Sequence, residues 1–162
     1  MQLREARPDD APAIAAVARE AWRTAYTDII GEEQVAALLD RWYGIDDLRD
    51  RLADAPAFVV AEVDGEVVGF ADGVEREEEE WALGRLYVHP DHWNRGVGSA
   101  LIEAVETRAR EAGAEAMELG VFAENDRATG FYERHGYEEV GEIEDGLEEE
   151  VTELRYRKPL RR

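Results

Sequence analysis

Gly96 and Gly98 stand two residues apart in a segment whose chemistry follows from residue types and spacing. An apolar run, residues 81–88, comes before them and ends at a histidine–proline break. An apolar-periodic segment, residues 100–112, follows and predicts a helix. Glycine lets a ligand approach the main chain, and a helix start offers unpaired N–H groups and a partial positive charge. This strand–loop–helix unit therefore predicts a phosphate-binding site.

Two common phosphate-binding motifs fit this segment poorly. A P-loop needs a lysine directly after its second glycine, and the only lysine of the chain is the distant Lys158. A dinucleotide fingerprint needs a third glycine, where this chain has Leu101, and the unit lies in mid-chain rather than at the start of the domain. The sequence therefore disfavours nucleoside triphosphate hydrolysis and leaves a dinucleotide-binding oxidoreductase as a weak rival.

A second motif begins 27 residues after Gly98, where residues 125–137 read N-D-R-A-T-G-F-Y-E-R-H-G-Y. Together with R-G-V-G-S-A-L at residues 95–101, it resembles the two signatures of the GNAT family of N-acetyltransferases. The resemblance implies an α+β fold with three layers. Its mixed, mostly antiparallel, twisted sheet is flanked by helices, and strands 81–88 and 117–122 splay around the cofactor.

The resemblance also implies that an acetyl group passes from acetyl-CoA to a primary amine by direct attack in a ternary complex. The pyrophosphate would rest on backbone N–H groups at the helix start, and the pantetheine arm would pair with the strand before the loop. An N–H near Val88 would polarise the thioester carbonyl. The implied cofactor-binding residues are Leu86, Tyr87, Val88, Trp93, Asn94, Arg95, Gly96, Val97, Gly98, Ser99, Asn125 and Tyr132.

Trp93 departs from the family pattern, which usually has glutamine or arginine three residues before the first glycine. The contacts at this place are mostly from backbone N–H groups, so we still expect the loop to bind the cofactor. A side-chain contact from Trp93 to the cofactor is not carried over from the family.

Tyr132 is implied as the general acid, since the matching tyrosine of the family protonates the departing CoA thiolate. A phenol with a pKa near 10 keeps its proton at neutral pH and can donate it. The alternative is an aromatic side chain that only packs in the core, which suits the neighbouring Phe131 better.

The sequence leaves several candidates for the general base that takes the proton from the amine. Some relatives carry glutamate five residues before the helix asparagine, where this chain has Gly120. Glu118 points to the same face of the strand and is the expected substitute, although a solvent-facing strand residue explains it equally well. Further candidates are Glu79 and Glu80. For the amine acceptor, Tyr26 and Asp28 are expected to line the cleft.

Composition limits the other chemistry. The chain has 162 residues, 44% of them hydrophobic, which suits one domain over residues 1–162. The resemblance implies that this is an acetyltransferase domain. Without cysteine, thiol catalysis and cysteine-ligated metals are excluded. His89 and His92 cannot share a helix face because Pro90 stands between them, so we expect no metal. His135 is expected to interact with the dipole at the end of its helix.

The formal net charge of −20 disfavours nucleic acid and anionic membranes as partners. An acidic, lysine-poor surface suits very high salt, although genome composition also explains the preference for arginine. No apolar run reaches the roughly 20 residues of a membrane span, and the N-terminus lacks a signal-peptide pattern, so we expect a cytoplasmic protein.

The predicted order of elements is β-α-α-β-β-β-α-β-α-β-β. Asp64-Gly65 predicts a hairpin, and residues 75–80 predict a charged turn. The last two strands are predicted at residues 137–142 and 148–157, around Asp145-Gly146.

Free amino acids, polyamines, antibiotics, peptide N-termini and lysine side chains all stay open as acceptors. A homodimer also stays open. The main rival function is a catalytically idle acyl-CoA sensor.

Overall fold

The computed structural model describes residues 1–54, 57–77, 79–143 and 152–160. Its strands are β1 Gln2–Glu5, β2 Phe58–Val63, β3 Glu66–Glu77, β4 Glu80–Val88, β5 Ala116–Phe122, β6 Glu138–Glu142 and β7 Glu153–Pro159. Its α-helices are α1 Ala11–Ile30, α2 Glu32–Trp42, α3 Ile45–Asp54, α4 Val97–Glu111 and α5 Asp126–Arg134. Short 3-10 turns, Pro8–Asp10 and Pro90–His92, precede α1 and the loop before α4.

The seven strands form one sheet in the order β1-β2-β3-β4-β5-β7-β6. Every neighbouring pair is antiparallel except β4 and β5, which run parallel, so the predicted mixed and mostly antiparallel sheet is confirmed. The parallel register covers three pairs and ends at Ala82 opposite Glu118. We call the gap between the two strands beyond this pair the fork.

Helices cover both faces of the sheet. Val97, Leu101 and Val105 of α4 are buried against one face, in a cluster that also holds Met117 and Tyr132. The other face packs against α1, α2 and α3, in a second cluster that includes Ile14, Trp22, Val35, Leu48, Phe58 and Phe70. The strands between these layers read as near-continuous apolar runs because both of their faces are buried.

A buried ionic cluster joins α4 to β7. Glu106 of α4 is only 2% exposed, and it accepts a hydrogen bond from the Tyr137 hydroxyl at 2.8 Å. Lys158 of β7 donates to both of its carboxylate oxygens at 3.0 and 3.1 Å. A buried carboxylate is tolerated when it is paired and hydrogen-bonded in this way. The only lysine of the chain therefore has a structural role.

Two predicted boundaries in the middle of the chain were wrong. The charged segment 75–80 is mostly strand, since β3 continues to Glu77 and pairs with β4 from Glu80 onward. Glu75 and Glu77 are exposed at the end of β3, and a polarity pattern cannot distinguish such a strand end from a loop. Helix α4 begins at Val97, because Gly98 and Ser99 are weak helix formers that hide its first turn from the apolar pattern.

The remaining differences concern helix number and the last hairpin. The segment predicted as a short helical piece at residues 45–53 is a full helix, α3, so three helices separate β1 from β2. The last strand begins at Glu153 and runs to Pro159, two residues beyond its predicted end. Residues 148–151 and the Asp145-Gly146 turn lie outside the described residues. Among the described helices, none has the length and apolarity that a membrane span requires.

Candidate active site

A cleft of about 550 Å³ opens at the fork and continues along the start of α4 and the side of α5. Every predicted cofactor-binding residue except Arg95 lines it, and so does Tyr26. Arg95 and Asp28 have exposed side chains and are not among the lining residues. The structure thus brings the two sequence motifs together around one cavity.

The start of α4 forms a concave backbone surface at one end of the cleft. Asn94 and Gly96 both have left-handed backbone angles, with φ of 63° and 83°, which asparagine and glycine tolerate best. The first backbone bond of the helix runs from the Ala100 N–H to the Gly96 carbonyl at 3.1 Å. The N–H groups of the three residues between them therefore lie at the helix start, where they suit an anion.

Gly98 is required by close packing. A Cβ atom at this position would lie 3.3 Å from two ring carbons of Phe131 on α5, tighter than ordinary van der Waals contact. The aromatic ring of α5 therefore approaches the backbone of α4 directly, and the two cofactor motifs form one wall of the cleft.

Trp93 joins the loop to the end of β4. Its indole N–H donates to the Val88 carbonyl at 2.7 Å. The Arg127 guanidinium lies 4.1 Å from the centre of the Trp93 ring and also donates to the Asn94 side chain at 3.0 Å. This cation–π contact connects the loop to α5. Sequence analysis missed Arg127, although it stands inside the second motif, two residues after Asn125.

His135 makes a second link between α4 and α5. It is the C-cap of α5, as expected for a residue near the helix dipole, but its Nε2 atom also lies 2.9 Å from the Ser99 hydroxyl. Both residues line the cleft. This link was not predicted, because Ser99 is 36 residues away in the chain.

An aromatic wall faces the fork from α1. The Tyr26 ring packs against Phe122 at 5.1 Å and against Trp22 at 4.6 Å. Burial raises the pKa of the Tyr26 hydroxyl, and interactions with the side chains of Tyr87 and Asn125 oppose the rise. Asn125 also caps α5, since its side-chain oxygen accepts from the Ala128 N–H at 3.1 Å. The asparagine of the second motif thus holds the helix start and the α1 wall together.

Tyr132 lies on the buried side of α5 and is 9% exposed. Burial raises the pKa of its hydroxyl well above the usual value near 10, since desolvation disfavours the phenolate. The hydroxyl therefore keeps its proton across the neutral range. A protonated phenol in a cleft suits the role of proton donor.

Glu118 and Glu80 lie at the closed end of the fork, and both face arginines. Glu118 is 3.4 Å from Arg155 and 3.6 Å from Arg157. Glu80 accepts two hydrogen bonds from Arg157, each of 2.8 Å. Glu118 is not among the residues that line the cleft. These ion pairs fix the carboxylates beside β7 rather than in the fork.

His89 and His92, which precede the loop, contact the short turn after β4 and each other. The Nδ1 atom of His89 accepts from the Asp91 N–H at 3.1 Å, which caps the short turn after β4. The His89 and His92 rings are 6.3 Å apart and nearly perpendicular. Within the described ranges, no group of three or more histidine, aspartate or glutamate side chains is placed to hold a metal ion.

Asp72 carries a buried charge beside the cleft. Its side chain is 6% exposed, and its Oδ1 atom has no hydrogen-bond partner within the described ranges; the same holds for Nη1 of Arg85, a residue that lines the cleft. Burial raises the pKa of Asp72 to about 6, while the positive charge of Arg51 opposes the rise. The folded protein thus binds this proton more tightly than the unfolded chain does.

Asp72→Asn is therefore expected to stabilise the protein at neutral pH. A raised carboxyl pKa gives stability that is complete below about pH 4 and is lost as the pH rises through about 6. Asparagine stays neutral, so the variant should be more stable than the wild type by about 3 kcal/mol above pH 7, and the two should converge near pH 4. Thermal unfolding between pH 4 and 8 measures the difference, and a wild type that is the more stable protein at pH 8 would refute the assignment.

The forked sheet, with a helix beginning at the open end of the fork, matches the fold expected for an acyltransferase. Residues 15–137 match the Acetyltransferase (GNAT) family, and the chain belongs to this family. The expected resemblance is confirmed.

Relatives and solved structures agree with this assignment. An uncharacterized N-acetyltransferase of Mycobacterium tuberculosis is 30% identical over 79% of this chain and 83% of its own length. A GCN5-related N-acetyltransferase of Rhodopseudomonas palustris is 27% identical, with a TM-score of 0.80 over 98% of this chain and 94% of its own. The PaiA N-acetyltransferase of Thermoplasma acidophilum, solved in complex with coenzyme A, is 22% identical, with a TM-score of 0.88 over 98% of both chains.

Proposed function

We propose that this protein transfers an acetyl group from acetyl-CoA to a primary amine. The observation that carries the proposal is the position of the helix-start anion site, which lies in the same cleft as the fork and Tyr132. A phosphate-bearing cofactor held at the start of α4 can thus extend its arm to the tyrosine. The coenzyme A found in the Thermoplasma structure of the same fold supports this choice of cofactor.

The backbone of β4 supports a site for the thioester. His89 donates its N–H to Val68 of β3 at 2.8 Å, and successive residues of a strand direct their N–H groups to opposite edges. The Val88 N–H therefore points to the fork, as does its carbonyl, which accepts the bond from Trp93. In our proposal the pantetheine arm lies along this edge, and the Val88 N–H stabilises the negative charge that develops on the thioester oxygen.

The proposed reaction is direct attack within a ternary complex. The neutral amine forms a bond to the thioester carbon, the carbon–sulfur bond breaks, and Tyr132 gives its proton to the departing sulfur. The bonded nitrogen loses one proton to solvent and the Tyr132 phenolate regains one, so the products are a neutral amide and the free thiol of CoA. Tyr26 and the end of β5 form the wall on which the acceptor would lie.

A thiol-release assay tests this proposal. Acetyl-CoA is mixed with the protein and with spermidine, Nα-acetyl-lysine, an alanine-initiated peptide or tobramycin, at low and high salt. We expect release of free CoA that depends on at least one of these amines. Tight acetyl-CoA binding without amine-dependent release would instead indicate a sensor. Stabilisation against heat by NAD but not by CoA would indicate a dinucleotide-binding protein.

A further inference from the structure

One face of β5 and β7 looks across the fork towards α1. Phe122 of β5 lies on this face, because its ring contacts Tyr26 of α1. Glu153 of β7 is paired directly with Phe122, and directly paired residues of an antiparallel ladder have their side chains on the same face. Gly120, two residues before Phe122, shares this face and lines the cleft. Glu153 thus lies on the α1-facing side of β7, next to the lining residue Gly120, and is not itself among the residues that line the cleft.

The Glu153 carboxylate reaches over Gly120. A Cβ atom at position 120 would lie 2.7 Å from Cδ1 of Ile143 and 3.4 Å from Oε2 of Glu153, so both side chains lie over this glycine. Glu153 and Gly120 are diagonal neighbours across the ladder, a separation that a long side chain spans. Since glycine has no side chain, the carboxylate of β7 lies beside the space that a side chain of β5 would occupy. The negative charge of Glu153 also raises the pKa of Tyr26, which is consistent with its position near this wall.

We propose that Glu153 is the general base for the acceptor amine. This assignment rests on the proposed acetyl transfer, since it names the base of that reaction. An alkyl ammonium with a pKa near 10.4 is neutral in only about 0.1% of molecules at pH 7.4, so attack requires removal of a proton. Glu153 takes this proton from the ammonium, the neutral nitrogen bonds to the carbonyl carbon, and Tyr132 protonates the sulfur as the carbon–sulfur bond breaks. The new amide nitrogen loses its second proton to solvent, from which the Tyr132 phenolate regains one.

The position distinguishes Glu153 from Glu118 on the same face. Glu118 is paired with Ala82 at the last closed position of the fork, whereas Gly120 and Phe122 lie beyond it. Among the residues that the structure describes, the charged and titratable groups on the face of Glu153 include Tyr26 from α1, Glu118 from β5, Arg155 and Arg157 from β7, and Glu138 from β6. The carboxylate at the cleft end of this row is therefore Glu153.

The test compares Glu153→Gln with Glu142→Gln, which makes the same chemical change at an exposed position of β6. The acceptor is Nα-acetyl-lysine or spermidine, whichever the wild type acetylates faster. At pH 7 we expect kcat/KM of Glu153→Gln to fall at least tenfold and that of Glu142→Gln to stay within twofold of wild type. The Glu153→Gln rate should then rise about tenfold per pH unit towards the pKa of the amine, because solvent must remove the proton.

A binding measurement and a second variant distinguish the loss of a base from damage to the fold. CoA affinity of Glu153→Gln, measured by calorimetry, should stay within twofold of wild type, and Glu153→Asp, which keeps a carboxylate, should recover part of the rate. A wild type that acetylates no amine overturns the proposed function and this assignment with it. An active wild type whose Glu153→Gln variant keeps both rate and pH profile overturns the assignment alone, as does an equal loss of rate and thermal stability in the Gln and Asp variants.

Discussion

Tyr132→Phe is expected to lower turnover about a hundredfold while CoA affinity changes less than threefold. The variant removes only the hydroxyl, so the ring still packs on the buried side of α5. Burial keeps the wild-type phenol protonated, and a positioned proton donor of this kind contributes about 10² to 10⁴ in rate. Turnover is measured by thiol release at saturating acetyl-CoA and amine, and CoA affinity by calorimetry.

The neighbouring Phe131 provides the matched control. Phe131→Tyr adds a hydroxyl to a ring that also lines the cleft, so a Tyr132→Phe/Phe131→Tyr double variant returns the lost hydroxyl one position away. We expect no recovery of turnover, since the next residue of a helix points in another direction. A Tyr132→Phe enzyme with wild-type turnover would remove Tyr132 from the mechanism.

Gly98→Asp is expected to weaken CoA binding at least a hundredfold. Its Cβ atom would lie 3.3 Å from the Phe131 ring, and its carboxylate would stand at the helix start proposed to hold the pyrophosphate. Both the lost space and the like charge act against the ligand. Calorimetric titration with CoA measures the affinity, and thermal unfolding confirms that the variant is folded.

Two further variants show whether lost space or added charge weakens CoA binding. Gly98→Ala adds the methyl group without the charge, so its effect on CoA affinity should be clearly smaller. Thr107→Asp adds the same charge at an exposed position of the same helix and should leave affinity within twofold. If Gly98→Asp bound CoA as the wild type does, the phosphates would lie elsewhere in the cleft.

Local patterns predicted three features of the fold well. The helix start at Gly96, the second motif from Asn125 and the hairpin at Asp64-Gly65 are each encoded within a few neighbouring residues. The fork was implied by the family resemblance, and the structure shows it as a parallel register that ends at Ala82. Such features could be predicted because backbone geometry and residue type at one place determine them.

The links between elements could not be predicted in the same way. The Arg127–Trp93 contact and the Ser99–His135 hydrogen bond join residues more than 30 positions apart, and each polar side chain also suits an exposed helix. Sequence analysis chose Glu118 by strand parity, which gives the face of a side chain but not its partner. The arginines of β7 beside Glu118 and the reach of Glu153 over Gly120 appear only once β5 and β7 are paired.

We propose above all that acetyl groups pass from acetyl-CoA to an amine nitrogen in this cleft. The most direct measurement is mass spectrometry of the amine panel after incubation with trideuteroacetyl-CoA and either the wild type or Tyr132→Phe. We predict that the label is found on the nitrogen of at least one amine, and that the variant forms this product about a hundredfold more slowly. Free CoA with unlabelled amines, or no CoA release from any mixture, would contradict the account.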